Sequence, residues 1–495
     1  MSLQENGREI ILDPITTFEP ASKETILNST TIQQPGEWTE YEKIAFRIVF
    51  VFALFLSGPT SPHWYENLVN YNWSHLHWQM LYAFTAEIGS PKIVNISTES
   101  GKWGLASYAN IAVLLLISAV IGGIWSYFDR GKKEYRNLYY WIRVLVRYQV
   151  GFSLVAWGFR KLIPMQMIWP PTNLLNTALI NMQEQKLYWQ SVGIVPNYES
   201  FLGLAEVLAG GFLLFRKTTA LGGALTLVVL GNVAIANHVY DGSVHIPSFT
   251  YAVLGAIILW YDFPYIWKLL VKEEDVTPVH YYPVLDKNWQ KYGRLGLKTI
   301  GLGIFVGLGF YLHASGDLKY RLPEAVALEG APGYYHVSEF KLNNKILPYS
   351  PSDSVRWQDV VFEKWATMTF KVNRPEKIDQ SNGPAFDNVK GGVKPDIERG
   401  WESAGLAGPH FFYYKIDPEK QILYMQNKNP EYKQEKQVLH YERVGDKRLI
   451  LSGTNEFSDS IRVVLDRVDK EYPVITKRGG VTVTEQRRRE QRKNY

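Results

Sequence analysis

The sequence predicts an α-helical, multi-pass membrane protein of about seven transmembrane helices that carries a C-terminal antiparallel β domain. Long apolar runs lie almost entirely before His313, so the mean hydropathy of −0.16 averages a strongly apolar half with a polar half. Aromatic residues form 14% of the chain and include 16 Trp, which is high for a soluble protein and typical of membrane interfaces. After about residue 316 apolar and polar residues alternate, which is the period of strands.

The composition excludes several classes of function. The chain contains no cysteine, which removes disulfides, thiol redox relays, zinc-thiolate sites and cysteine-ligated iron–sulfur clusters. The net charge of +5 is small and is distributed over loops, so no nucleic-acid partner is expected. The first forty residues are polar and lack the pattern of a cleaved signal peptide, so we expect the first apolar run to remain as an anchor.

A membrane-spanning helix needs about 20 largely apolar residues. The predicted spans, in order, are 43–58, 104–128, 139–162, 198–215, 218–238, 247–268 and 296–313. The second is uncharged and is the clearest. The first is short and carries Arg47, so we expect it to tilt or to extend this side chain towards the interface.

Lys and Arg in the short loops predict the orientation, because such residues are held on the cytoplasmic side. They fill the loops after the second, fourth and sixth spans, including Arg136, Lys217 and Lys287. We therefore expect a multi-pass inner-membrane protein with a cytoplasmic N terminus. An odd number of spans then places everything after Ser315 in the periplasm.

These patterns divide the chain into six segments. They are a polar N-terminal segment (1–40), two spans joined by a long aromatic-rich external loop (41–137), a four-span core (138–272), a cytoplasmic loop with the last span (273–315), the β domain (316–480) and a basic tail (481–495). Inside the core, the Pro-rich connection from Pro164 to Pro196 predicts an irregular lid followed by a short helix on the outer surface.

The β domain shows alternating or β-rich segments separated by turn signals at Asn343-Asn344, Asp417-Pro418 and Gly445-Asp446. These segments include YYHVSEFKLNN, WATMTFKVN, HFFYYKID, QILYMQNK, QVLHYERV and RLILSG. They predict an antiparallel sheet or small barrel large enough for its own core. The basic tail is expected to be solvated, because runs of like charge are usually disordered.

The third and fourth spans carry polar stripes at helical spacing. Arg143, Arg147 and Lys161 share one face of the third span, and Glu199 and Glu206 share one face of the fourth. Because consecutive spans are antiparallel, the stripes are expected to face each other. By rise per residue, Arg147 and Glu206 lie roughly 8 Å apart along the membrane normal, which a long arginine can mostly bridge.

The fifth span adds Asn232 near mid-depth and Asn237, Tyr240 and Asp241 at its outer end. One interpretation is a structural staple, with an Arg147–Glu206 ion pair and asparagines bonding across helices. The other is a site for a membrane-dissolved ligand with a polar head, since ionisable residues inside a membrane often mark a site. The candidate binding residues are Arg147, Lys161, Glu206, Asn232, Asn237, Tyr240 and Asp241.

The first loop offers a weaker alternative. His63, His75 and His77 have spacing that a metal ion can use, but the tryptophans beside them fit an interfacial aromatic belt better, so no metal site is expected.

Three stretches of the core also carry a family resemblance. YYWIRVLVRYQVGFSLVAWGFRKLIPMQM, VPNYESFLGLAEVLAGGFLLF and GNVAIANHVYDGSVHIPSF resemble the DoxX-like membrane proteins, in a long form with an extra C-terminal domain. The matching motifs are Gly-Phe-x-Lys-x-x-Pro from Gly158 to Pro164, the Glu206-containing span, and Asn-x-x-Tyr-Asp from Asn237 to Asp241. The resemblance covers about residues 138–270. It implies a bundle built on a four-span core and an association with quinone-linked or redox-stress membrane complexes.

Three functions follow as hypotheses. The first is a quinone- or lipid-binding component of a redox-linked membrane complex, with membrane lipids and envelope proteins as partners. The second is a non-enzymatic scaffold that anchors the periplasmic β domain in an envelope assembly. The third is a transporter that uses the charged stripes as a path, although no inverted repeat is visible. No catalytic residue is assigned.

Overall fold

The computed structural model describes residues 37–71, 73–74, 76, 78–86, 93–94, 105–242, 244–315, 322–374, 386–387, 392–403 and 410–470. His75, His77 and the basic tail lie outside these residues. A helical bundle forms the first part of the described chain and a β-barrel forms the second.

Thirteen α-helices are present in the described part of the bundle and its connections. They are α1 Glu40–Ser57, α2 Pro62–Asn70, α3 Trp78–Ala86, α4 Ala109–Phe128, α5 Arg136–Leu162, α6 Thr172–Leu175, α7 Glu184–Gly193, α8 Pro196–Leu213, α9 Thr219–Val239, α10 His245–Trp260, α11 Phe263–Val271, α12 Asn288–Gly301 and α13 Gly309–Ala314. A π-helical stretch, Leu302–Leu308, joins α12 to α13. The predicted short helix of the Pro164–Pro196 connection is α7.

Within the described residues, three helical segments are long and apolar enough to cross a membrane: Leu105–Phe128, Arg216–Val239 and Asn288–Ala314. The number becomes four if α10 and α11, which meet at a 74° bend, are counted as one span. Seven spans are not supported on this criterion. Helices α1, α5 and α8 are not among these segments, because their polar residues lower the mean hydropathy.

The bundle core brings together α1, α4, α5, α8, α9 and α10 around fully buried side chains such as Leu114, Val150 and Leu254. Arg47 extends towards the end of α4. It is buried and donates to Tyr135 Oη (2.9 Å), Ser126 Oγ (2.8 Å) and the Asp129 carbonyl (3.0 Å), so α1 and the α4–α5 turn are tied together.

The connection between the first two predicted spans is not only a loop. Its helix α3 packs beside α5, and the carbonyl of Thr85 accepts a short hydrogen bond from Ser153 Oγ. Tyr251 Oη lies 2.9 Å from Ser153 Oγ and accepts from Gln149 Nε2 at 2.8 Å. This chain of neutral hydrogen bonds ties α3, α5 and α10 together.

The strands are β1 Gly333–Leu342, β2 Lys345–Ile346, β3 Asp359–Phe362, β4 Thr367–Phe370, β5 Phe386–Asp387, β6 Gly392–Val393, β7 His410–Asp417, β8 Ile422–Asn427, β9 Lys436–Val444, β10 Arg448–Thr454 and β11 Ser460–Val468. All the described pairings are antiparallel. The strands of the larger sheet follow the order β11-β10-β9-β8-β7-β4-β3-β1-β2.

Pairing of β1 with β11, from Tyr334↔Val468 to Leu342↔Ile461, closes this sheet into a barrel. Its interior is filled by side chains such as Phe340, Phe412 and Leu451, as expected for a small barrel. The predicted antiparallel β domain is therefore confirmed. The predicted turns are confirmed too: Asn343 and Asn344 both have positive φ between β1 and β2, and Gly445 has φ +65° between β9 and β10.

Candidate functional site

Helices α5 and α8 approach closely through glycines. A Cβ atom on Gly203 would lie 2.1 Å from the backbone nitrogen of Leu162, and one on Gly210 would lie 2.6 Å from the carbonyl oxygen of Gly151. Along the shared axis of the two helices, Gly203 therefore lies at the height of Gly158–Leu162, and Gly210 lies at the height of Gly151. These two contacts fix the register of the antiparallel pair.

This register joins Glu206 to Lys161. Lys161 Nζ donates to Glu206 Oε1 at 2.5 Å, and both side chains are buried. In a helix each Cα–Cβ bond tilts towards the N terminus, so on antiparallel helices Lys161 and Glu206 lean towards each other. The second oxygen of Glu206, Oε2, is buried and has no hydrogen-bond partner among the described residues.

The predicted Arg147–Glu206 pair is wrong. Arg147 lies level with about residue 214, so it is roughly 12 Å along the helix axis from the level of Glu206. The two side chains also lean apart, because each points towards the N terminus of its own helix. Arg147 instead donates to Thr219 Oγ1 at 3.1 Å and lies over the ring of Tyr148.

The four candidates on the fifth predicted span lie in different surroundings. Asn232 is exposed on the surface of α9, away from the Lys161–Glu206 pair. Asn237 is buried, but its Nδ2 donates to Val233 O at 2.8 Å within the same helix rather than across helices. Its carbonyl accepts from Gly242 N at 2.6 Å, which closes the turn that carries Tyr240 and Asp241.

Helix α7 covers this end of the bundle, which we call the lid end. The ring of Tyr188 stacks on that of Tyr240, with centroids 5.1 Å apart. Burial raises the pKa of the Tyr188 phenol, and Tyr198, Glu206 and Tyr240 nearby raise it further, so this hydroxyl remains a donor. Tyr188 therefore joins α7 to the turn after α9, near enough to Glu206 to be affected by its charge. Sequence analysis missed this residue, whose signal was an aromatic side chain in the short surface helix.

Two acidic residues complete the lid end. Glu199 Oε1 accepts from the backbone nitrogens of Gln166 (2.8 Å) and Met167 (2.9 Å), which holds the start of the Pro-rich connection against α8. Asp241 adopts a positive φ of 49° in its turn. Burial raises the pKa of the Asp241 carboxyl, and the nearby Glu184 raises it further. His238 and His245 lower this pKa by a smaller amount.

The barrel is held against the same connection, from Pro164 to Pro196. We call this contact, formed by Glu363, Asn173, Glu402 and their neighbours, the seat of the barrel. Glu363 accepts from the backbone nitrogens of Thr172 (3.0 Å) and Asn173 (2.7 Å) through its two carboxylate oxygens. Asn173 Nδ2 donates to the Glu402 carbonyl at 2.7 Å, and Thr369 Oγ1 donates to Asn173 Oδ1 at 3.2 Å. Sequence analysis missed this seat, because each partner is an ordinary polar residue in its own segment.

Charge in the seat is partly balanced. Burial raises the pKa of the Glu363 carboxyl to about 7, and nearby Glu402 raises it further, while the amides of Asn173 and Thr172 lower it. Glu402 forms a short, fully buried ion pair with Lys428, whose Nζ also donates to Thr367 Oγ1 at 3.2 Å. The seat therefore contains one balanced pair and one carboxyl that titrates near neutrality.

Comparisons with known proteins give little further constraint. No family model matches the chain, and no solved structure matches it. The chain is similar to Uncharacterized protein YwoB of Bacillus subtilis (strain 168), with 34% identity over 74 residues, which are 15% of this chain and 48% of that protein. The chain thus spans about half the length of this relative, whose name gives no activity. The resemblance to DoxX-like proteins stays a prediction.

Proposed function

We propose that this chain is an inner-membrane protein whose lid end binds a lipid-soluble ligand with a polar head, such as a quinone. The proposal rests on the second carboxylate oxygen of Glu206, Oε2. Glu206 is 1% exposed, and its Oε2 accepts no hydrogen bond from the described residues. A buried acceptor without a donor costs free energy, so a ligand that donates to this oxygen is bound favourably.

The polar groups of the lid end suit both redox forms of such a ligand. A quinone carbonyl accepts hydrogen bonds, and Lys161 and the Tyr188 hydroxyl are donors. A quinol hydroxyl donates, and Glu206 Oε2 is an acceptor. Tyr240 with Tyr188 supplies stacked flat rings at the lid end, on which a quinone ring can pack. The DoxX-like resemblance, which implies quinone-linked complexes, agrees with this ligand class.

The ligand proposal is tested on the full-length protein. Purification in mild detergent, followed by lipid extraction and native mass spectrometry, is expected to recover a quinone or one specific lipid. Tyr188→Phe, which removes a single hydroxyl, is expected to lower the recovered ligand by about ten-fold, as for one lost hydrogen bond of 1–1.5 kcal/mol. Asn232→Leu is the matched control, because Asn232 is exposed outside the pocket.

Two results would overturn this proposal. Equal ligand recovery from the wild type and Tyr188→Phe would place the ligand elsewhere. A wild-type protein that is empty of any quinone or specific lipid, while still working in its host assembly, would leave the scaffold function.

The seat of the barrel favours the scaffold function. The barrel is held on the connection by Glu363, Asn173 and a cluster of buried Trp residues, Trp169, Trp365 and Trp401. Its interior is filled by side chains. A rigid attachment and a solid core suit a domain that presents its outer surface to an envelope partner.

The inner-membrane location and the seven-span topology belong to the same proposal. Arg47 of α1 and Lys161 of α5, which lower the hydropathy of these helices, are buried inside the bundle and hydrogen-bonded there. Partners of this kind reduce the cost of charge at membrane depth. This supports a crossing by helices that hydropathy alone does not select.

A further inference from the structure

Four cationic side chains converge at the end of the bundle opposite the lid, which we call the basic end. Arg147 donates to Thr219 Oγ1, which in turn donates to the carbonyl of Phe215 at 2.9 Å. Lys298 Nζ lies 4.3 Å from the centroid of the Phe215 ring. Arg216 follows Phe215 directly, and Arg294 lies one turn before Lys298 on α12. Arg147, Arg216 and Lys298 therefore meet at the turn between α8 and α9, where Arg216 also donates to Tyr140 Oη at 2.5 Å, and Arg294 lies on the same face of α12 as Lys298.

In the described part of the chain, no negative charge balances these four cations. Lys298 is close enough to Arg147, Arg216 and Arg294 to be repelled by all three. Among the described residues, no carboxylate forms an ion pair with any of the four. Arg143 provides the contrast, because it lies on the same helix as Arg147 and forms a short ion pair with Asp262.

Arg147 needs a counter-charge most. Its side chain is largely buried, at 7% exposure, and its Nε has no hydrogen-bond partner among the described residues. Burying a charge is costly unless the charge is paired and hydrogen-bonded. A guanidinium with a free edge matches the oxygens of a phosphate in geometry as well as in charge.

The backbone adds to the positive potential. The helical segment that contains α9 begins with a 3-10 turn at Arg216–Thr218, and no side-chain hydrogen bond caps its start. The free N–H groups of a helix N terminus attract anions. Arg216 and Arg294 are exposed, so an anion can reach the cluster from outside.

We propose that this cluster, Arg147, Arg216, Arg294 and Lys298, binds the phosphate group of an anionic phospholipid. Two of the three apolar segments, Arg216–Val239 and Asn288–Ala314, pass through the cluster near one of their ends. The cluster therefore lies where lipid headgroups lie, and basic pockets between spanning helices are typical headgroup sites.

The test measures thermal unfolding of the full-length protein in nanodiscs in which phosphatidylglycerol replaces phosphatidylcholine stepwise. The wild type is expected to unfold at a higher temperature as phosphatidylglycerol increases. Arg216→Gln, Lys298→Gln and Arg147→Gln are each expected to need about five-fold more phosphatidylglycerol for half of the effect. Lys268→Gln is the matched control, because Lys268 is an exposed lysine of α11 outside the cluster.

The same measurement separates the alternatives. In phosphatidylcholine alone, Arg147→Gln is expected to be no less stable than the wild type, because it removes an uncompensated charge. An equal response of the wild type and all three variants to phosphatidylglycerol would overturn the proposal. If inorganic phosphate in phosphatidylcholine nanodiscs reproduces the whole stabilisation, the bound anion is a soluble phosphate and the lipid assignment is wrong.

Discussion

Lys161 and Glu206 depend on each other for the burial of their charges. Lys161→Met and Glu206→Leu, made singly, are each expected to destabilise the protein by about 3–5 kcal/mol, because each leaves an unpaired buried charge. The double variant is expected to lose less than the sum of the two. Thermal or denaturant unfolding in detergent measures this coupling.

The matched control for this comparison of single and double variants combines Arg147→Leu with Glu206→Leu. Arg147 lies roughly 12 Å from the level of Glu206 and contacts Thr219 instead. Effects at sites without shared partners add to within about 0.5 kcal/mol, so no coupling is expected here. Coupling in this cycle with none in the first would contradict the observed helix register.

Glu363 makes the stability of the barrel seat depend on pH. Its pKa is raised from 4.5 to about 7, so the folded state holds this proton more tightly than the unfolded state. The stabilisation is complete below pH 4.5 and is lost as the pH rises through about 7. Across this window the free energy of unfolding is expected to fall by up to about 1.4 kcal/mol per pH unit.

Unfolding curves of the wild type and Glu363→Gln at a series of pH values measure this effect. The variant is expected to lose the slope, whereas Glu419→Gln, a change in an exposed turn, is expected to keep it. The groups that act on Glu363 are Glu402, with its partner Lys428, and the neighbouring Lys364 and Tyr414. A wild-type slope of opposite sign would show that the Thr172 and Asn173 amides outweigh burial.

Among the strands, periodicity predicted the long ones and missed two that complete the barrel. Strands β1, β4 and β7–β10 alternate or are β-rich, and all are observed. Strand β3, Asp359–Phe362, has three consecutive buried residues, so it lacks the alternation of a half-exposed strand. Strand β11 was missed as well, and closure through β11 depends on register, which a linear pattern does not contain.

Among the helices, spacing predicted the faces but not the partners. The polar faces of α5 and α8 do meet, as predicted. Which residues pair depends on the offset between the helices and on side-chain tilt, and the offset is set by contacts of Gly203 and Gly210 with backbone atoms. The short helix predicted after the lid is present as α7, but the stacking of its Tyr188 on Tyr240 could be found only in the folded chain.

Across the whole molecule, the barrel is joined to the Pro-rich connection, because Glu363 accepts from Thr172 and Asn173. The proposed topology therefore requires both to lie on the same side of the membrane. Reporter fusions after Arg136, Lys217 and Lys287 are expected to report the cytoplasm, because basic loops stay inside. Fusions after Thr177 and Asp353 are expected to report the periplasm together. A cytoplasmic signal after Asp353 would refute an odd number of spans, and one after Thr177 would show that α5 does not cross.

The pairing of β1 with β11 also sets the order of events during synthesis. The first strand of the barrel finds its last neighbour only after Val468 has left the ribosome and reached the same compartment. Until then β1 and β10 present unpaired backbone edges, which are prone to aggregation. Closing so long a loop is entropically slow. The new chain therefore passes through a stage in which the helical bundle is complete, the sheet is still open, and aggregation is favoured.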